Sequence, residues 1–456
     1  MTLSDRGAIF RTGVTKGIKV MAVLSELHDY ILTLIEKELS PGEKLPGART
    51  VAERFSCSLP RVQSVLDSLE QSGVVESRPR SGTYVSSDYK ERILPRNVVC
   101  SSFLNALSEE QRKSFRHQFP EFHLTHSFHG GGVEILSSFT ILSRQNKYQD
   151  LTEIFEETFP DCRKRFYMES LAPFCRDGRF RALPIMFSPQ ILWYNPELFR
   201  QTGTPLPSEN WGEEEFFSAI RQLHRTLSGR RIINYTPSFQ QWSNFVHASG
   251  GAFFNPALED PVQADSPATV KGCLKYLNLL RELDLAVDYD DAPVRSFARG
   301  KLAMFAGFRQ SAWYFREEGI DFTPGAVFMP SLGSAEKQLG AGLIAFRKNF
   351  HDREKIKKLL KFWFSDSIQE TLGKNSYGIP FLRSAALKTL VPEREPDCFL
   401  LKGLPALNTN SHIPSEELGT ILSRSSTLIN TSSPEKLPQI LNELATTMRF
   451  ITKIQR

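Results

Sequence analysis

Residues 41–85 read "PGEKLPGARTVAERFSCSLPRVQSVLDSLEQSGVVESRPRSGTYV". After Ser58, a residue type that caps helix N-termini, apolar residues recur at helical spacing until Gly73. Pro60 falls in the first turn of this segment, where its missing N–H is not needed. Two short apolar stretches then flank Arg78–Gly82, so the pattern predicts a helix followed by a small β-hairpin.

The residues before this helix predict two further helices. The first has an apolar stripe formed by Leu24, Leu27, Ile31, Leu34 and Ile35. The second, shorter helix holds Val51, Ala52 and Phe55. Three helices followed by a hairpin are typical of a winged helix-turn-helix, in which the last helix enters the DNA major groove and the wing contacts the backbone or the minor groove.

This segment resembles the DNA-binding domain of the GntR family of transcription regulators. The family pattern is met at Pro41, Gly42, Leu45, Pro46, Arg49, Ser58, Gly82, Thr83, Tyr84 and Val85. The resemblance implies a winged-helix domain over residues 21–86 that binds double-stranded operator DNA, as a homodimer because one winged helix reads only a half-site. The family usually has arginine at the positions of Leu59 and Gln63 and often threonine at that of Arg61, so a different base preference is expected.

The resemblance also predicts which residues contact DNA. They are Arg49, Ser58, Arg61, Gln63, Arg80, Gly82 and Thr83. The arginines would meet phosphates, and the amide of Gln63 suits an adenine edge, although an idle surface amide is the alternative. For Arg54 and Arg78 the alternative is pairing with neighbouring acids. The domain is not strongly basic, so its affinity for phosphates must come from cations clustered on one side.

The composition of the whole chain is that of an ordinary globular protein, with 40% hydrophobic residues, 23% charged residues and a net charge of +5. The 456 residues are expected to form two or three compact units. Six scattered cysteines without a C-x-x-C motif predict reduced thiols. Residues 1–20 lack the apolar core of a signal peptide and no stretch suits a membrane, so a cytoplasmic protein with a flexible N-terminal extension is expected.

Strand and helix patterns alternate in residues 96–456, after a polar linker at residues 87–95. Strands are predicted at Val98–Cys100, Phe122–Thr125 and Val133–Leu136, and an amphipathic helix is predicted at Glu109–Phe119. The alternation predicts an α/β domain built on a parallel sheet.

This second region resembles the carbohydrate-type extracellular solute-binding proteins of ABC transporters, the group that includes maltose-binding protein. The motifs occur in family order, at Asp150–Thr152, Asp177–Pro184, Tyr194–Asn195, Trp242, Gly250–Gly251, Phe297, Gly300, Ala303–Met304, Gly340–Phe346 and Tyr377–Pro380. The resemblance implies two α/β lobes with a ligand cleft between them. One lobe is expected at about 96–188 and 341–390, and the other at about 189–338 and 391–456.

The resemblance assigns candidate ligand-binding residues, which are Glu134, Ser137, Ser188, Phe239, Trp242, Phe308, Arg309, Trp313 and Tyr377. Aromatic faces stack on sugars and polar groups fix the hydroxyls, so a sugar or oligosaccharide is the expected effector. Phe308 and Arg309 stand where the family usually has tryptophan, and Arg309 would suit the carboxylate or sulfate of an acidic sugar. The alternative for each aromatic residue is ordinary core packing.

No catalytic, cofactor-binding or metal-binding set is predicted. His123, His126 and His129 are three residues apart, but on a strand the first two point to opposite faces. The sequence therefore predicts a DNA-binding regulator controlled by a small ligand, and not an enzyme. Two alternatives stay open: a regulator whose second domain serves only dimerisation, with Glu416–Ile454 as the candidate surface, and a transport substrate-binding protein.

Overall fold

A computed structural model of the chain describes residues 27, 30–31, 34–35, 38–55, 57–71, 73–88, 96–100, 104, 106–125, 131–176, 178–209, 211–227, 231–234, 239–255, 258–283, 293–334, 337–391, 393, 396–402, 407–408 and 415–454. The chain divides into two compact units. The first lies within Met1–Asn105, Glu109–Ile135 and Phe346–His351, and the second comprises Ala106–Ser108, Leu136–Ala345 and Asp352–Arg456. The predicted extension at residues 1–20 and most of the predicted linker lie outside the described residues.

The first unit begins with the predicted winged helix. After a helical segment that includes Leu27 and Ile31, its elements are α1 (Ala48–Arg54), α2 (Leu59–Gln71), β1 (Val75–Arg78) and β2 (Gly82–Val85). The two strands pair antiparallel, from Val75 opposite Val85 to Arg78 opposite Gly82. Gly73 follows α2 with φ of +71°, a left-handed conformation that glycine adopts without strain.

A single apolar cluster holds the winged helix together. It is formed by Leu27, Ile31, Ile35, Leu45, Val51, Ala52, Val62, Val65, Leu66, Leu69, Val74, Val75 and Val85. The apolar positions of α2 repeat every three or four residues, so they form one stripe that faces this core. The opposite face of α2 remains available for contacts outside the domain.

The rest of the first unit is a parallel α/β segment. Its elements are β3 (Asn97–Val99), α3 (Glu109–Gln118), β4 (His123–Thr125) and β5 (Val133–Ser137), whose first three residues belong to this unit. Val98 of β3 pairs with Leu124 on one side and with Val133 on the other, both in parallel register. Gly131 lies just before β5. A Cβ at this position would collide with the carbonyl oxygen of Asn97, so a glycine is required there.

The second unit contains strands from two separate sheets. In the first, β6 (Ala182–Pro189) pairs antiparallel with β11 (Lys337–Phe346) and with β12 (Ile379–Pro380), and β13 (Leu407–Asn408) joins β11 in parallel. The second sheet has the order β10-β7-β9-β8, and its strands are β7 (Ile191–Tyr194), β8 (Arg231–Ile233), β9 (Leu302–Gly307) and β10 (Gly325–Phe328).

The α/β class is confirmed, but the parallel pairing expected from the alternation of strands and helices does not hold for most strands of this unit. In the second sheet, β7 pairs antiparallel with both β9 and β10, and only β8 runs parallel to β9. Only Gln190 separates β6 from β7, so the chain passes directly from one sheet to the other. No helix therefore connects β6 and β7. A helical crossover is the connection that two parallel strands of one sheet would need.

The helices of the second unit cover these sheets. They are α4 (Ser138–Ser143), α5 (Thr152–Thr158), α6 (Cys162–Arg165), α7 (Met168–Leu171), α8 (Pro196–Thr202), α9 (Glu213–Thr226), α10 (Phe239–Ala248), α11 (Pro267–Glu282), α12 (Pro293–Ala298), α13 (Ser311–Glu317), α14 (Arg353–Trp363), α15 (Asp366–Lys374), α16 (Arg383–Thr389), α17 (Asp397–Leu400), α18 (Glu416–Thr431) and α19 (Leu437–Ile454). The last two helices contribute Leu422 and Met448 to the same buried cluster as Trp242 on α10 and Tyr276 on α11.

Neither a membrane-spanning helix nor a metal-binding group of side chains is found among the described residues. No helix there combines the length and the apolar character that crossing a bilayer requires. No group of histidine, cysteine and acidic side chains in that part of the chain is arranged to hold a metal ion. His126 and His129 lie outside it. None of the six cysteines, all of which are described, forms a disulfide, and burial raises the pKa of Cys100 and Cys273.

An ion-pair cluster joins the region after α4 to the start of α18. The Glu416 carboxylate accepts a hydrogen bond from Lys147 Nζ at 2.9 Å and pairs with Arg144. Burial raises the pKa of Glu416, but the hydrogen bond from Lys147 and the charge of Arg144 outweigh burial and hold that pKa below its ordinary value.

Glu416→Gln is expected to lower the free energy of unfolding near neutral pH by about 1 kcal/mol or less, because the pair is partly exposed. A carboxyl whose pKa is lower in the folded state contributes stability above its unfolded pKa and loses it as the pH falls through the folded pKa. Urea unfolding at pH 7 and pH 3 measures this difference. An equal difference between wild type and variant at both pH values would contradict the assignment.

Candidate functional site

The face of α2 that is turned away from the core carries exposed side chains. Leu59, its first residue, is 42% exposed. Gln63 lies one turn further on, and its Nε2 donates a hydrogen bond to Asp67 Oδ1 at 2.9 Å. Ser58 precedes the helix, and its carbonyl oxygen accepts a hydrogen bond from Arg61 N at 3.0 Å. These residues form the surface that a winged helix would present to a groove of DNA.

Three arginines predicted to contact DNA belong to different elements of the same domain. Arg49 on α1 and Arg80 in the wing are exposed, and Arg61 on α2 is half-buried. Arg80 has φ of +61°, which places it in the tight turn between β1 and β2. Within the described part of the chain, no ion pair involves any of these three guanidinium groups.

Two other arginines have partners within the domain. The Arg54 guanidinium lies 4.5 Å from the centroid of the Tyr30 ring and donates to the Tyr30 hydroxyl at 3.1 Å. The Arg78 guanidinium pairs with Glu76 and lies 4.1 Å from the centroid of the Tyr84 ring. Arg78 therefore pairs with a neighbouring acid, as the alternative interpretation has it, whereas Arg54 is held by a tyrosine instead of an acid.

Backbone contacts fix the base of the wing. Thr83 O accepts a hydrogen bond from Leu45 N at 2.9 Å, so the strand is tied to the segment before α1. Gly82 has φ of +113°, and a Cβ there would meet Lys44 Cε at 2.9 Å. Glycine is favoured at this position because L side chains rarely adopt this φ, whereas the end of the Lys44 side chain could move away.

In the second unit the structure brings together five of the predicted ligand-binding residues. The Ser188 hydroxyl is buried, accepts a hydrogen bond from Arg309 N at 3.0 Å and donates to Pro189 O at 2.8 Å. The Trp313 and Tyr377 rings lie 5.0 Å apart, with Trp313 half-buried and Tyr377 buried. The Phe308 ring packs on β11, where a Cβ on Gly340 would collide with it. Burial raises the pKa of Tyr377 above its ordinary value.

The prediction that Arg309 binds an acidic ligand requires a correction. The Arg309 guanidinium forms a two-bond ion pair with Asp397, at 2.6 Å and 2.9 Å, and the two side chains are only 3% and 8% exposed. It also donates to the carbonyl oxygens of Gly373 at 2.8 Å and Gly378 at 3.0 Å. Arg309 therefore already binds a carboxylate of its own chain, which replaces the acidic ligand that the sequence suggested.

The prediction that Trp242 binds the ligand also requires a correction. The Trp242 side chain is fully buried, its ring meets Phe253 edge-on at 4.9 Å, and its Nε1 donates to Ser426 Oγ at 2.9 Å. An indole enclosed in this way has no free face for a sugar, so the alternative of core packing applies to it.

The structure describes the side-chain surroundings of two of the remaining three candidates. Glu134, in the first unit, is buried and accepts a hydrogen bond from Arg347 Nε at 2.8 Å, so its carboxylate is committed to an ion pair. Ser137 is exposed and caps α4 by accepting a hydrogen bond from Thr140 N. Phe239 begins α10, and its side chain lies outside the described residues.

Of the predicted ligand-binding residues Arg309 lines a cavity, whose other lining residues sequence reasoning missed. The cavity is lined by the buried aromatic side chains of Trp193 and Phe315 and by the exposed cations Arg200 and Arg316. Sequence reasoning also missed Asp397, because nothing in a single sequence links an aspartate to an arginine 88 positions earlier.

Comparison with known proteins assigns two regions of the chain to families. Residues 25–85 match the bacterial regulatory proteins of the gntR family. Residues 135–370, which are 236 of the 456 residues, match the bacterial extracellular solute-binding proteins. The HTH-type transcriptional regulator YhcF of Bacillus subtilis is 28% identical over 92 residues, which are 20% of this chain and 69% of YhcF.

Solved structures support a binding-protein fold for most of the chain. The ABC substrate-binding protein Lmo0181 from Listeria monocytogenes, in complex with cycloalternan, has a TM-score of 0.64 at 18% identity and covers 77% of this chain and 98% of its own. UgpB from Mycobacterium tuberculosis, in complex with glycerophosphocholine, has the same TM-score and identity and covers 79% of this chain and 99% of its own.

The chain is thus a regulator-type DNA-binding domain joined to a binding-protein domain of the two-lobed periplasmic type. It belongs to the bacterial extracellular solute-binding protein family over residues 135–370 and carries a gntR-family winged helix at residues 25–85. The gntR family consists of regulatory proteins, and the other family consists of solute-binding proteins.

Proposed function

We propose that this chain is a cytoplasmic transcription regulator that binds operator DNA as a homodimer and whose operator affinity is controlled by a sugar or oligosaccharide. The observation that carries the proposal is the fusion of a gntR-family winged helix to a solute-binding domain in one chain. The neighbouring structures include a protein in complex with cycloalternan and one bound to maltose, which supports a carbohydrate as the effector class. A ligand that prefers one conformation of the binding domain would shift the DNA-binding state.

The DNA-binding part of the proposal predicts a loss of phosphate contacts in two variants. Arg49→Ala and Arg61→Ala should each weaken binding to a selected operator. Each should also lower the slope of log affinity against log salt concentration by the amount that about one phosphate contact per half-site contributes. Fluorescence anisotropy between 50 and 200 mM salt, roughly the range over which such contacts are sensitive, measures both quantities.

Arg54→Ala is the matched control for this experiment. Arg54 belongs to the same domain, but its guanidinium is held by Tyr30, so the salt dependence should stay at the wild-type value. Wild-type affinity and salt dependence in both Arg49→Ala and Arg61→Ala would refute the assigned DNA surface.

The ligand-binding part of the proposal places the sugar at the rings of Phe308, Trp313 and Tyr377. Trp313 is the half-buried member of the ring pair and can offer a face to a sugar. Trp313→Ala should therefore weaken the binding of a sugar found by calorimetry roughly tenfold or more. Trp313→Phe keeps an aromatic face and should lose less affinity.

The cavity beside this cluster provides the competing location. If sugar binding survives Trp313→Ala but is lost in Arg200→Ala, the ligand occupies the cavity lined by Trp193, Phe315 and Arg200. That outcome would contradict the placement at Trp313 and leave carbohydrate control intact.

The second candidate function is a regulator whose binding domain serves only dimerisation. The internal commitments of Arg309 and Trp242 favour it, because two predicted ligand contacts are satisfied within the chain. Thermal-shift screening against a sugar panel separates the candidates, since a ligand at 100 times its Kd adds about 2.7 kcal/mol to the stability of the folded state. A panel without any shift, in a protein that dimerises and binds DNA, would favour this second function.

A further inference from the structure

The outward face of α2 combines an exposed leucine with an amide. Leu59 is 42% exposed at the first residue of the helix, although the other large aliphatic residues of α2 are buried. Leu59, Gln63, Ser64 and Asp67 line one shallow groove on this face. Arg61, the only cationic residue of α2, does not line that groove.

The chemistry of this face determines which bases it can recognise. Guanine is read mainly by arginine or lysine at its O6 and N7 atoms, and the groove on α2 offers neither. Thymine is the base with a C5-methyl group in the major groove, and an apolar side chain recognises that methyl by contact. Leu59 is such a side chain, and it lies at the end of the helix that reaches deepest into a groove.

The amide of Gln63 has the donors and acceptors for adenine. One of its two N–H groups donates to Asp67 Oδ1 at 2.9 Å. The second N–H and the carbonyl oxygen remain, and these are the pair that adenine N7 and N6 require. Asp67 fixes the rotation of the amide through its hydrogen bond, so it acts as a positioning residue for Gln63.

We infer that α2 reads A·T base pairs, with Leu59 packed on a thymine methyl and Gln63 bound to an adenine edge. The inference rests on the proposed function, since it requires that the winged helix binds DNA. It adds the base preference of that same surface.

Selection of bound duplexes from a random library with the full-length protein should enrich half-sites with A·T pairs at the centre of the contact. In the enriched site, replacing the contacted thymine with deoxyuridine removes one methyl group and should weaken wild-type binding roughly fourfold. Leu59→Ala should bind the thymine and deoxyuridine duplexes equally well, because the side chain that meets the methyl is gone.

Replacing the adenine with 7-deazaadenine should weaken the binding of the wild type about tenfold and leave the binding of Gln63→Ala unchanged.

Leu258→Ala is the control, since Leu258 is 47% exposed and belongs to the second unit, outside the winged helix. It should keep the full sensitivity to deoxyuridine. Enriched sites with G·C pairs at the contact, or the same sensitivity to deoxyuridine in Leu59→Ala as in the wild type, would overturn the inference while DNA binding stands. A library from which no sequence is enriched would overturn the proposed function as well.

Discussion

Trp242→Ala is expected to lower the free energy of unfolding by about 3–5 kcal/mol, the cost of removing a large aromatic side chain from a closed core. The indole is fully buried against Phe253, and its Nε1 bonds to Ser426 on α18. The variant therefore loses packing between α10 and α18 as well as a buried hydrogen bond. Urea denaturation followed by circular dichroism measures the change.

Ser426→Ala is the control for the hydrogen bond alone. It leaves the indole in place but removes its acceptor, so a loss of about 1–3 kcal/mol is expected. If Trp242→Ala kept the stability of the wild type and lost sugar affinity instead, Trp242 would belong to the ligand site and its core assignment would be wrong.

Arg309→Met is expected to destabilise the protein by about 3–5 kcal/mol, because it leaves the buried carboxylate of Asp397 without its counter-charge. The carbonyl oxygens of Gly373 and Gly378 lose a donor in the same variant. Asp397→Leu should be destabilising for the matching reason, since it leaves the guanidinium unpaired. Chemical denaturation at neutral pH measures both variants.

The double variant Arg309→Met with Asp397→Leu tests whether the two side chains stabilise the fold as a pair. Apolar residues of similar volume often replace a buried ion pair with little net loss, so the double variant should be more stable than either single one. Additive losses would show that the two side chains act independently. They would also contradict the view that Arg309 is committed to an internal carboxylate.

Much of the winged helix could be predicted from the sequence because its signals are local. The stripe at Val62, Val65, Leu66 and Leu69 specifies a helix by spacing alone. Gly73 and Gly82 mark two of the four places among the described residues of this domain where the backbone has positive φ, the others being Gly42 and Arg80. Each of these signals lies within a few residues of the element that it defines.

The sheets of the second unit and its candidate site depend on contacts between distant residues. The antiparallel pairing of β6 with β11 joins segments about 150 residues apart, which alternation of strands and helices cannot reveal. Arg309 and Trp242 were recognisable as special residue types, yet their partners Asp397 and Ser426 lie far along the chain. A tryptophan that packs in the core and one that stacks on a sugar look the same in a sequence.

Effector control of DNA binding is the central claim, and one titration tests it most directly. The operator selected from the random library is titrated with full-length protein, with and without a saturating sugar that calorimetry has shown to bind. The account predicts a dimeric complex whose Kd for the operator changes about fivefold or more when the sugar is present, the lower end of typical coupling between two sites. An identical Kd in the two titrations, with the sugar demonstrably bound, would contradict it.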